Sequence, residues 1–154
     1  MPDYVLPSDE GVQQMLAMVI GDDACVELGT ESAVEGFSHV ARFVDDEDVV
    51  VGLCLADLEL SAALGAGLSM IPPAAVEDMV QEKALTRIAQ DNLYEVMNML
   101  SSLFMNDQTP HLRLTTVDVF EDTPEEIDDG EFSRVDYCIE AGKYGKGLLT
   151  FFST

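Results

Sequence analysis

The chain has 154 residues, 47% of them hydrophobic, and carries thirty Asp and Glu against seven Lys and Arg, a formal net charge of −23 at pH 7. That length and composition suit one globular domain, 1–154, with a sizeable core, and argue against disorder. The charge excludes nucleic acid and anionic membrane as partners, because binding phosphates needs a basic surface; it serves solubility, as in a salty cytoplasm, or attraction to a basic patch on a partner protein.

Ser8, followed by Asp9 and Glu10, marks a helix start with a cap and acids in the first turn. Val12, Met15, Leu16, Val19 and Ile20 continue it at helical spacing, and Gly21 ends it. Three strand-like segments follow, 24–28, 34–44 and 49–56, with turns at Gly29-Thr30 and at Asp45-Asp46-Glu47-Asp48. Asp57 caps a helix to about Met70 that is rich in Ala and Gly, small residues that permit close packing. Pro72-Pro73 opens a short helix, 74–82.

A long amphipathic helix is expected over 83–104. Leu85, Ile88, Ala89, Val96, Leu100 and Leu103 form its core stripe, flanked by Leu93 and Met99. Beyond a turn at 106–110 come a strand at 112–120 and an acidic loop at 121–131. Two last strands, 132–139 and 147–152, flank the turn Gly142-Lys143-Tyr144-Gly145. Strands grouped rather than alternating with helices indicate an α+β fold, long helices packed on a mixed or largely antiparallel sheet. A weak internal echo is present: a helix followed by strands occurs at Ser8 and again at Lys83.

No apolar run approaches the ~18 residues of a membrane span. The start, Met1-Pro2-Asp3-Tyr4, has no basic region of the kind that opens a signal peptide. Cys25, Cys54 and Cys138 lack CxxC or metal-ligand spacing and read as reduced, buried thiols, so a cytoplasmic location is expected. His39 and His111 have no cysteine or carboxylate at ligand spacing and read as structural. The acidic clusters at 45–48 and 121–131 lack EF-hand spacing and read as solvated turns, so no metal site is expected.

One pattern stands out. Asp91, Glu95, Asn98 and Ser102 recur at i, i+4, i+7 and i+11 on a helix face other than the core stripe. Glu95 and Asn98, three apart, place a carboxylate and a carboxamide side by side toward water. Spacing alone is equally that of an ordinary solvated face. Asn92 falls near the core stripe, and either extends this face or makes a buried hydrogen bond.

The element order makes more of the pair. The strand Val50-Val51-Gly52-Leu53-Cys54-Leu55-Ala56, the small-residue helix after it, the acidic helix around Glu77 and Asp78, and the segment Glu95-Val96-Met97-Asn98-Met99-Leu100 resemble the CheC/CheX/FliY chemotaxis phosphatases, CheX most of all. The resemblance spans roughly 34–152, and its diagnostic motif, E-x-x-N, is short. It departs from the family at Ser101-Ser102-Leu103, where a glycine usually follows the asparagine, and at Thr115, where a proline is usual. The first helix carries no E-x-x-N, so one site is expected.

The resemblance implies hydrolysis of the phosphoaspartate of a CheY-like receiver domain. Asn98 would hold the attacking water, and Glu95 would bind the lysine beside the phosphoaspartate. Asp91 and Ser102 would extend the contact with the substrate protein. An acyl phosphate is already reactive, so a positioned water suffices, and a carboxamide oxygen can accept its proton. The receiver would supply Mg²⁺, leaving this chain without a cofactor of its own. The resemblance also implies a homodimer joined through sheet edges. A catalytically inactive binding or adaptor module of the same fold, in two-component or flagellar signalling, is the alternative.

Overall fold

A computed structural model describes residues 4–31, 34–120, 122–129 and 132–154. Helix α1 (Asp9–Ile20) leads into strands β1 (Ala24–Leu28), β2 (His39–Val44) and β3 (Val50–Ala56). Helices α2 (Leu58–Gly67), α3 (Pro73–Glu82) and α4 (Arg87–Leu100) follow. The chain continues through β4 (Arg113–Val119), the short α5 (Glu125–Asp129), β5 (Ser133–Ala141) and β6 (Lys146–Ser153). The six strands form one sheet in the order β1-β5-β6-β3-β2-β4. Every pairing is antiparallel, so the α+β expectation holds and the sheet is not mixed.

Helix starts follow from their caps. The Ser8 hydroxyl accepts from the Gly11 N–H at 3.0 Å, and the Asp57 carboxylate accepts from the Leu60 N–H at 2.9 Å. The start of α4 departs from expectation. Lys83 takes a left-handed conformation (φ 57°) that ends α3, and Thr86 caps a new helix by accepting from the Ala89 N–H at 3.2 Å. The long helix is therefore 87–100, continued as a 3-10 turn over Ser101–Phe104. The strand expected at 34–44 begins only at His39, because Val34–Gly36 forms a 3-10 turn that buries Phe37. Within the acidic stretch 121–131, a loop by expectation, Pro124 precedes the short α5; residues 121, 130 and 131 lie outside the described residues.

Helices α1 to α4 cover one face of the sheet. Phe104 fills the centre of that layer, with ring centroids 5.0 Å from Phe43 and 5.7 Å from Phe151. Gly52 in β3 makes room for it, since a Cβ there would lie 3.2 Å from the Phe104 ring. On the opposite face Phe37, Val40, Leu53, Leu55 and Phe152 form a second cluster, against which Ile127 and Phe132 pack.

The strand order carries a symmetry. Exchanging β1, β2, β3 with β4, β5, β6 reproduces the same order read backwards. Helices α1 and α4 precede β1 and β4 in the two halves, so the echo in the sequence is a structural repeat. The two sheet edges, β1 and β4, are thus equivalent in topology but not in finish. Along β1 the Gln13 carboxamide accepts from the Val26 N–H at 2.8 Å and donates to the Ala24 carbonyl. That side chain stands in for the peptide group of a missing strand over Ala24–Val26 and caps that part of the edge. No further strand pairs with β4 among the described residues.

Asp57 joins layers as well as capping α2. Its second oxygen accepts from the Leu148 N–H of β6 at 3.1 Å. Burial pushes its carboxyl up to about 6, helped by the neighbouring Glu59 charge and opposed by the two backbone N–H groups. A carboxyl whose pKa is raised on folding adds stability that is complete below the unfolded value of 3.8 and is lost as pH rises through about 6. Between pH 4 and 7 at fixed ionic strength, the thermal midpoint is expected to fall more steeply for the native chain than for Asp57→Asn. The variant's whole curve should sit lower, since an amide oxygen serves only one of the two N–H groups. Parallel curves would refute the assignment.

Candidate functional site

The candidate face belongs to α4, whose rigidity comes from its buried side. Ala89, Leu93, Val96, Met97 and Leu100 are buried there. This corrects the expected stripe: Leu93 is central rather than flanking, Met97 joins it, Ile88 is 60% exposed and Leu103 is only half-buried. Ile88 precedes Glu95 by seven residues, two helical turns, and so shares its exposed face.

Asp91, Glu95, Asn98 and Ser102 are all exposed. Among the described residues the side chains of Asp91, Glu95 and Asn98 have no hydrogen-bond or ion-pair partner, and they are free to meet another molecule. Ser102 differs: its hydroxyl donates to the Met99 carbonyl at 3.1 Å. Ser101 likewise donates to the Asn98 carbonyl at 2.6 Å. The Asn98 carbonyl also accepts from the Ser101 backbone N–H, so the Ser101 hydroxyl adds a second bond at the end of α4. Ser101 is right-handed (φ −56°), so nothing in the local backbone requires a glycine.

Thr115 also has a local explanation. Arg42 pairs with Thr116 but Phe43 pairs with Leu114, which makes Thr115 the extra residue of a β-bulge. Its hydroxyl donates to the Arg42 carbonyl at 3.1 Å. A bulge is also where a strand accepts proline, so the two residue types suit the same geometry.

Asn92 resolves in favour of the hydrogen-bonding role. Its Nδ2 donates to the Gly65 carbonyl at 2.8 Å and to Ser69 Oγ at 2.8 Å, both beyond the reach of sequence reasoning. The two histidines lie apart from the face. His39 is buried, which lowers its pKa, and its Nδ1 lies 2.7 Å from Ser38 Oγ. His111 is exposed, with Nδ1 3.8 Å from Asp46. Asp45 organises its own turn by accepting from the Glu47 and Val49 N–H groups. A cleft of about 500 Å³ lies elsewhere, lined by residues that include Asp57, Cys138, Glu140 and Lys146; Cys138 is exposed and Cys25 half-buried, so of the three thiols expected to be buried only Cys54 is. The Glu95–Asn98 face projects outward instead, a shape suited to a macromolecule rather than to an enclosed small ligand.

Aligning the two helix caps, Ser8 with Thr86, puts Ala17 and Ile20 opposite Glu95 and Asn98. The structural repeat therefore carries the polar pair in one half only. No helix among the described residues is long and apolar enough to cross a membrane.

No family profile matches the sequence, and no curated protein does. Solved structures do match. FliY from Thermotoga maritima superimposes with a TM-score of 0.63 at 15% identity, over 92% of this chain and 81% of that one. CheX from Borrelia burgdorferi, crystallised as a complex with CheY, BeF₃ and Mg²⁺, gives 0.58 at 14% identity, over 91% and 90%. FliM from H. pylori, in a complex with SpeE, gives 0.68 at 8% identity, over 94% and 80%. The chain therefore has the fold shared by CheX, FliY and FliM, as the resemblance in its sequence implied.

Proposed function

We propose that this protein hydrolyses the phosphoaspartate of a receiver domain. In this reading α4 docks on the receiver and Asn98 enters its phosphorylation site. The Asn98 carboxamide oxygen accepts a hydrogen bond from a water held in line with phosphorus. The water oxygen bonds to phosphorus as the bond to the aspartate oxygen breaks, giving inorganic phosphate, which keeps the water's two protons, and a free carboxylate. Glu95 pairs with the receiver's lysine and holds the two proteins in register, Asp91 and Ser102 widen the contact, and the receiver's Mg²⁺ balances the phosphoryl charge. The observation that carries the reading is the free, outward carboxylate–carboxamide pair on a helix buried along its other side. The CheX fold, crystallised with CheY and BeF₃, supports the partner class.

The test is phosphate release from a receiver charged with acetyl phosphate. Asn98→Ala should slow turnover by about 100-fold, the effect of losing an aligned water. Glu95→Ala should raise the receiver concentration for half-maximal rate by about tenfold, the loss of about 1.4 kcal/mol of docking energy. Unchanged rates in both variants would overturn the proposal, and binding without acceleration would make the protein an adaptor. The same reading includes a homodimer joined at β4, supported by the Gln13 cap on part of the β1 edge.

A further inference from the structure

The Glu95–Asn98 pair is only as well aimed as the rotation of α4 about its own axis. Helical residues advance by about 100° each, so Asn92, Glu95 and Asn98 step around the axis in intervals of about 60°. Asn92 faces α2, and Asn98 lies about 120° away on the open side. Side chains reach about 5–6 Å from the axis, so a turn of about 10° carries the Asn98 carboxamide by about 1 Å. A misplacement of that size can cost about 100-fold in rate.

Two contacts oppose such a turn. Gly65 and Ala89 bring the backbones of α2 and α4 together: a Cβ at Gly65 would lie 2.7 Å from the Ala89 carbonyl oxygen. That contact fixes the spacing of the helices but, being made of small groups, resists rotation weakly. The Asn92 carboxamide supplies direction. It donates at 2.8 Å to Gly65, whose carbonyl lies in the last turn of α2, where carbonyls lack their usual helical donor. The same nitrogen donates at 2.8 Å to Ser69, just past that helix end. Both acceptors lie together at the C-terminal end of α2, so the two bonds clamp one face of α4.

We infer that Asn92 is a positioning residue for the pair, an inference that rests on the phosphatase reading above. It acts through the orientation of α4 and touches no reacting atom. The two members of the pair depend on it unequally. Glu95 has a long side chain that can follow its partner after a small rotation. Asn98 has a short one that cannot. Loss of the clamp therefore falls on the chemical step more than on docking.

In the dephosphorylation assay, Asn92→Ala is expected to lower the rate at saturating receiver by about 10- to 100-fold, with half-saturation changed less than about threefold. Ser69→Ala, which leaves the Gly65 bond in place, should lose about two- to fivefold. Ile139→Val, a buried change in β5 away from the clamp, controls for destabilisation and should keep wild-type turnover. If Asn92→Ala does not fold by circular dichroism, Asn92→Asp, equal in shape but without the donor, takes its place with the same expected loss. Asn98→Ala separates the two ideas. Full activity in Asn98→Ala overturns the phosphatase reading itself. A dead Asn98→Ala beside a folded Asn92 variant of wild-type turnover, or one altered only in half-saturation, overturns the positioning role alone.

Discussion

Phe104→Ala is expected to lower the unfolding free energy by about 3–5 kcal/mol, the range for truncating a buried phenylalanine. Against the ~5–15 kcal/mol of a typical domain that is a large fraction. Phe104 is fully buried and packs on Phe43 and Phe151. The site has little means of collapse, because Gly52 opposite it carries no side chain to move in. Phe104 also ends the 3-10 turn that continues α4, so its loss frees the C-terminal anchor of the helix that carries Asn98. Urea unfolding at fixed salt measures the effect. Phe104→Leu keeps most of the volume and should cost under about 1.5 kcal/mol. Similar losses for the two variants would mean that the ring does not occupy the packed centre described.

Gly65→Val is expected to destabilise the protein by wedging α2 from α4. Its Cβ would meet the Ala89 carbonyl oxygen at 2.7 Å and the Ala89 Cβ at 2.8 Å. Neither belongs to a flexible side chain, so α2 and α4 must separate. Overpacking of this kind costs about 1–3 kcal/mol, and branched valine belongs at the upper end. The few tenths of a kcal/mol by which valine exceeds glycine in helix propensity do not offset it. Gly65→Ala gains about 1 kcal/mol in propensity and adds less bulk, so its net cost should be smaller. A fall in the urea midpoint ordered Val, then Ala, then native is the expected result. A valine variant as stable as the native chain would show that the helices do not meet at this point. Because Gly65 also offers its carbonyl to Asn92, the valine variant should lose receiver turnover beyond what its stability loss explains.

Much of this architecture is written locally. Ser8 and Asp57 announce their helices because a short oxygen-bearing side chain before an apolar run has few other uses. The glycines and alanines of α2 state that another backbone comes close, although only the fold reveals Ala89 as the neighbour. The start of α4 was harder to read. Counting the helix from Lys83 placed Ile88 in the core, whereas the Thr86 cap starts a new helix after a left-handed break. The seven-residue spacing from Ile88 to exposed Glu95 contains the correction, since residues two turns apart share a face. The strand expected from Val34 failed for a different reason: Phe37 is buried against the second face of the sheet, and tertiary burial overrode β propensity. The pair itself was legible as exposed, whereas Asn92's partners lie 27 and 23 residues away and needed the fold to bring them together.

The Gln13 carboxamide has a consequence for how copies of this chain can assemble. A sheet with two open edges can add neighbours at both ends and grow into a fibre. Here one end is capped over Ala24–Val26 by the chain's own side chain. Edge-to-edge pairing through β4 would bury the uncapped edge of each copy and leave the partly capped β1 edges outside. Growth by that route stops at two, a closed pair rather than a filament.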